Sequence, residues 1–187
     1  MNDIYAKLYN HALTGNADCG GVVAYNYISG EPVAGLEDGR PIVMRDANSK
    51  FNLANLMRAN LYATVAVLKL GNDVLFKEEQ VKVDRITGHG GLFKTPVVGQ
   101  RILAAALNSP ISVMETAGEG GAWGIALLAN YMINNPNNLS LADYLEEVVF
   151  AGNTGVEIAP TQEDVEGFNA YIENYKANLK VEHAAIS

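Results

Sequence analysis

Ile86-Thr87-Gly88-His89-Gly90-Gly91-Leu92-Phe93-Lys94-Thr95-Pro96 and Ile111-Ser112-Val113-Met114-Glu115-Thr116-Ala117-Gly118-Glu119-Gly120-Gly121-Ala122-Trp123-Gly124 are the stretches whose reading decides the fold. Each runs from a short apolar strand into glycines and then into helical spacing. Such a turn brings bare backbone N–H groups and a helix start to one edge of a sheet, where a phosphate or nucleotide can sit. The order strand, glycine loop, helix, repeated, is that of α/β crossovers. Both loops are therefore expected at the same sheet edge, within reach of one ligand.

Working outward, apolar spacing predicts a short helix over 5–13, a buried strand over 20–28 and a brief strand over 42–44. A long helix is predicted over 53–68, capped by Asn52 and closed near Gly71. A strand over 81–87 leads into the first loop. Thr95-Pro96 is expected to open the next helix, with a hydroxyl cap and proline at its first position. Asn108-Ser109-Pro110 ends it, residues 111–114 form a strand, and a helix runs over 122–133. Beyond, Ser140 with Asp143 and Thr161 with Asp164 read as caps of two peripheral helices, and the residues from Lys180 read as frayed. The chain shows no internal repeat. It reads as a single domain over 1–187, with a core over about 20–135 and a helical tail over 136–187.

The 187 residues are 49% apolar and 18% charged, the balance of a globular domain able to bury one sizeable core. A net charge of -8 argues against nucleic acid as partner, but loop N–H groups hold phosphates without a basic surface. Cys19 is the only cysteine. A lone thiol fits a reducing cytosol, and its apolar neighbourhood with Asp18 beside it favours a structural role. No basic segment leads into an apolar h-region, and residues 125–133 are too short to span a bilayer, so no membrane partner and a cytoplasmic location are expected.

Gly90 and Gly91 allow close approach to the main chain, and Lys94 lies where it can reach a phosphate or a sugar hydroxyl. Gly118, Gly120, Gly121 and Gly124 keep the second helix start slim. Each loop alone also reads as a tight turn. His89 reads as a loop residue rather than an acid–base catalyst, Trp123 as a core anchor with a stacking platform for a base as the alternative, and Glu115 and Glu119 as solvated or capping groups rather than paired catalytic carboxylates. No P-loop lysine and hydroxyl, no His/Cys cluster of metal spacing and no Gly-x-Ser-x-Gly elbow is present. The residues describe a binding surface without a catalytic centre or metal ligands.

Gly90-Gly91, followed by Lys94-Thr95-Pro96-Val97-Val98-Gly99-Gln100-Arg101-Ile102-Leu103-Ala104, resembles the adenosine motif of the FGGY carbohydrate kinases. Pro110-Ile111-Ser112-Val113-Met114-Glu115 and the stretch 120–129 resemble the strand and Gly/Ala-rich helix that follow it. Tyr27-Ile28-Ser29-Gly30-Glu31 resembles the family's Tyr-Leu-Ser-Gly-Glu-Arg segment, with Pro32 in place of the arginine. The first loop is a residue or two longer than the xylulokinase-like pattern. The resemblance covers about residues 20–135, and its flavour is that of xylulokinase or ribulokinase.

The resemblance implies an actin-like ATPase (ribonuclease H-like) α/β domain, a mixed sheet flanked by helices, forming the C-terminal half of a two-domain sugar kinase. It implies ATP or ADP held by Gly90, Gly91, Leu92, Lys94, Gly120 and Gly121, with Mg2+ in the intact enzyme and a pentulose such as xylulose or ribulose as acceptor. The catalytic aspartate and most sugar contacts would lie in an N-terminal domain outside this chain, so the fragment alone is expected to be inactive. A half-enzyme exposes the face its partner covers, and homodimerisation or aggregation through that face is expected. The alternatives are a non-catalytic actin-like module that binds a nucleotide or partner, and a structural domain whose glycine loops are only turns.

Overall fold

The computed structural model describes residues 2–114, 117, 120–151 and 155–186. Glu115, Thr116, Gly118 and Glu119 of the second loop lie outside them, and with them the solvated or capping roles expected of the two glutamates. The element order is α1 (Asn2–Ala12), β1 (Val23–Tyr25), β2 (Ile42–Met44), α2 (Leu53–Asp73), β3 (Ile86–Thr87), α3 (Val98–Leu107), β4 (Ile111–Val113), α4 (Gly120–Asn134), α5 (Leu141–Tyr144), β5 (Val156–Ile158) and α6 (Gln162–Ile186). β1 and β2 form an antiparallel ribbon, with Ala24 opposite Val43. β3, β4 and β5 form a mixed sheet in that order. β3 and β4 are parallel with α3 as their crossover, and β5 runs antiparallel to β4.

α2 is the spine. Asn52 caps it by accepting the Asn55 N–H at 2.9 Å, as its short polar side chain allows. Its buried face carries Ala59, Leu61, Tyr62, Val65 and Ala66. The helix does not close at Gly71. It runs to Asp73 and continues as a π-type turn over Val74–Glu78. Asp73 pairs with Lys69 at 2.5 Å and Lys77 at 3.0 Å, and this i,i+4 ladder carries the backbone past the glycine. A Cβ at Gly71 meets nothing within 4 Å. Gly71→Ala therefore removes only backbone freedom, and is expected to raise stability by about 0.5–1 kcal/mol, measured by urea unfolding. A destabilised variant would contradict this account of the helix.

The last segment is not a peripheral tail. Val156–Ile158 adds a strand to the sheet, and Val165, Phe168, Tyr171, Ile172 and Tyr175 of α6 are buried. Phe168 and Tyr171 set their rings edge-on to Tyr62, at 4.7 and 5.2 Å between centroids. The Tyr171 hydroxyl reaches the carbonyls of Ala59 and Ala24 at 3.2 and 3.3 Å, and the Tyr25 hydroxyl donates to the Tyr175 carbonyl at 2.5 Å. Burial pushes the phenols of Tyr25, Tyr62 and Tyr171 up, so they act as neutral donors. Nor does the chain fray from Lys180: Glu182 is fully buried, and its Oε1 accepts the Arg40 N–H at 2.8 Å.

A buried ion cluster ties α6 to the body. Asp164 accepts from Arg58 at 2.5 Å and from Arg101 at 2.6 Å, and Arg58 also donates to the Tyr62 hydroxyl at 3.0 Å. Thr161 accepts the Asp164 N–H at 3.2 Å, the cap read from the sequence. Burial raises the Asp164 carboxyl, but hydrogen bonds from Arg101, Thr161 and Arg58 pull it below the usual carboxylate value. Cys19 is buried as expected, and burial pushes its thiol up, which leaves it an unreactive packing residue.

Candidate functional site

The first loop is tighter than its sequence predicts. Gly91–Lys94 form a 3-10 turn, and α3 starts only at Val98. Val97, with φ +72°, stands at its N-cap without a side-chain hydrogen bond, so the Thr95-Pro96 helix start is displaced. The reason is packing. The Phe93 ring folds back onto the place a Cβ on Gly88 would take, and Leu92 packs against the core. Gly90 adopts φ +107°, a conformation that favours glycine.

Backbone hydrogen bonds pin this loop to its neighbours. The Gly88 N–H donates to Ser112 O on β4, and the Gly90 N–H donates to Ala117 O in the second loop, both at 2.8 Å. Gln100, buried on α3, donates to Ile111 O at 3.0 Å and Val156 O at 2.7 Å, holding β4 and β5 beneath the loops. The two glycine loops are thus stitched together at one edge of the mixed sheet.

They open onto one cavity of about 470 Å³. His89 and Gly90 line it from the first loop, and Gly120, Gly121 and Gly124 from the start of α4. Trp123, Leu127 and Leu128 of α4 form one wall. Leu141, Leu145 and Phe150 close the other. The Trp123 and Phe150 rings meet at 5.6 Å and 54°. The walls are fastened by Asn130, which donates to the Tyr144 hydroxyl at 2.6 Å, and by the Tyr131 hydroxyl, which donates to Leu139 O at 2.9 Å. A mostly apolar cleft with convergent backbone and a few polar groups suits a flat organic ring.

Of the six residues read as nucleotide contacts, Gly90, Gly120 and Gly121 line the cavity. Gly91, Leu92 and Lys94 are outside its lining: Gly91 and Lys94 are exposed and Leu92 is turned to the core. Trp123 is a half-buried wall of the cavity rather than a core anchor. Leu141, Leu145 and Phe150 were missed, although the i,i+4 spacing of Trp123 with Leu127 and of Leu141 with Leu145 marks two apolar faces that can meet. Among the described residues no group of three or more His, Cys, Asp or Glu side chains is placed to hold a metal ion. Among them, too, no helix is long and apolar enough to cross a membrane.

Several solved structures share this fold, among them three kinases. The xylulose kinase from Rhodospirillum rubrum matches with TM-score 0.65 and 19% identity, over 96% of this chain and 34% of that one. The gluconate kinase from Lactobacillus acidophilus matches with TM-score 0.67 and 19% identity, over 95% and 35%. Plasmodium falciparum glycerol kinase with ADP matches with TM-score 0.66 and 16% identity, over 95% and 33%. The chain thus spans about a third of the length of each. No curated protein matches it by sequence. The C-terminal domain model of the FGGY family of carbohydrate kinases matches residues 6–133, more than half of the chain. With that match, and with the mixed α/β architecture of the actin-like ATPase sugar kinases, the chain belongs to the FGGY family of carbohydrate kinases, as its C-terminal domain.

Proposed function

We infer that this chain is the nucleotide-binding part of an ATP-dependent sugar kinase, and that the cavity between the two glycine loops takes the nucleoside. The observation that carries this reading is the meeting of His89 and Gly90 with Gly120 and Gly121 around one apolar cleft. The cleft is of the size that small-molecule sites occupy. Its walls suit the faces of a purine, and the glycines let a ribose approach the main chain. Magnesium would arrive with the phosphates, since that ion keeps few protein ligands and binds mainly through phosphate oxygens and water. When bound, Mg-ATP supplies the phosphoryl group, and this chain orients it.

The acceptor is a pentulose, xylulose or ribulose, chosen by residues outside this chain along with the general base. α4 supports the view that a partner surface is incomplete here: Ile125, Met132 and Ile133 form a stripe that is 69%, 84% and 80% exposed. That stripe is the face through which we expect the isolated chain to dimerise.

Calorimetric titration with ADP and ATP, beside an assay of ATP turnover with xylulose and ribulose, tests the reading. Saturable ADP binding without sugar-dependent turnover is expected. Absence of heat at millimolar ADP would remove the nucleotide assignment. Robust turnover by the pure polypeptide would show that the phosphoryl-transfer machinery is complete within it.

A further inference from the structure

We propose that His89 is the base-reading residue of this cavity, hydrogen-bonding the polar edge of a purine whose faces rest on the apolar walls; this rests on the nucleotide reading above. The described lining holds two side chains with hydrogen-bonding atoms, His89 and Trp123. Indole is a donor only, whereas imidazole has two ring nitrogens that donate or accept. A purine buries apolar faces but keeps donors and acceptors along its rim, and a rim group left unmatched loses affinity.

Three observations place His89 for that task. Its side chain is exposed at the cavity rather than packed in the core. Its backbone is clamped on both sides, by the Gly88 N–H on Ser112 O and the Gly90 N–H on Ala117 O. Its ring also lies against the helix start of the second loop, where a Cβ on Gly120 would stand 3.4 Å from His89 Nδ1. The imidazole therefore sits beside the start of α4 on a backbone that is fixed before any ligand arrives, which limits the backbone ordering cost of binding. A Cβ at 120 would make only ordinary contact with the ring, and one at 121 or 124 would meet nothing within 4 Å, so the cavity beside the imidazole stays open.

The test separates hydrogen bonding from shape. ADP is titrated against the wild-type chain, His89→Phe and His89→Gln, following the fluorescence of Trp123, the only tryptophan. Thermal melts show that all three are folded. Phe keeps a ring of similar size without polar atoms, and Gln keeps a donor and an acceptor without the ring. Loss of one hydrogen bond predicts that His89→Phe weakens ADP by about five- to tenfold, while His89→Gln stays within about threefold of wild type. ADP binding that is unchanged in both variants, reduced equally in both, or better in Phe than in Gln would overturn the assignment. A wild-type chain that binds no ADP would fail differently, removing the nucleotide reading and this proposal with it.

Discussion

Asp164→Ala is expected to destabilise the domain by about 3–5 kcal/mol, the usual cost of stripping one partner from a buried ion pair. Arg58 is only 3% exposed as a side chain and sits 2.5 Å from Asp164, so its charge would be left buried with the Tyr62 hydroxyl and Gly15 carbonyl as neutral partners. Arg101 loses its carboxylate at the same time. The change also removes the Thr161–Asp164 side-chain contact at the start of α6. Against a total of roughly 5–15 kcal/mol this is a large share, and a melting temperature lower by roughly 10 °C would accompany it. Urea unfolding of Asp164→Ala beside Arg58→Met/Asp164→Leu separates the causes. The double variant should recover part of the loss, since an apolar pair leaves no orphaned charge. A single variant within about 1 kcal/mol of wild type would show that the cluster does not hold α6.

The same cluster predicts an acid response. The native Asp164 carboxyl is held below its ordinary value of 3.8. A depressed native pKa means that the unfolded chain takes up the proton first. The stabilisation is therefore complete above the ordinary carboxylate range. It is lost as pH falls below that value towards the lower native one. Wild-type stability should drop across that window, and Asp164→Ala should lack this part of the drop.

What was legible in the sequence was local. Asn52, Ser140 and Thr161 each cap the helix their position announces, with the side chain accepting the N–H three residues on. Asn108 ends α3 with φ +48°, as a short polar residue before Ser-Pro allows. What was not legible depends on distant partners. Val156–Ile158 is three residues long with two of them exposed, so no alternation marks it. It becomes a strand only because β4 offers an edge and Gln100 accompanies it. The sequence of α6 reads as a peripheral helix with one apolar side, and nothing local shows that its tyrosines are buried. The Tyr171 hydroxyl is satisfied by carbonyls of β1 and α2, and the Tyr175 hydroxyl pairs with that of Tyr27, which lets both rings enter the core. At the site, the convergence of the glycine loops follows from strand-loop-helix order alone. The choice of cavity-facing residues does not, because Phe93 folds under Gly88 and turns Leu92 inward.

That distinction decides which substitution should abolish nucleotide binding. Gly121→Trp is expected to weaken ADP by about thirtyfold or more, equivalent to roughly 2 kcal/mol. Gly121 lies in the first turn of α4, lines the cavity and is exposed, and a Cβ there meets nothing within 4 Å. The new side chain therefore projects from an unstrained helix position. Any residue other than proline is at least as good a helix former as glycine, so the fold should survive. Gly121→Ala adds one methyl and should leave affinity within about threefold, so the loss should grow with side-chain size if occupancy of the cleft is the cause. Gly91→Trp is the informative counterpart. Glycine pairing in the sequence marks Gly91 as a contact, but it is exposed and outside the cavity lining. ADP affinity should therefore change little. Calorimetry on the three variants, with thermal melts to confirm folding, ranks them. If Gly121→Trp binds ADP as the wild type does while Gly91→Trp does not, the nucleotide lies on the outer side of the first loop. The cleft between Trp123 and Phe150 then serves another ligand.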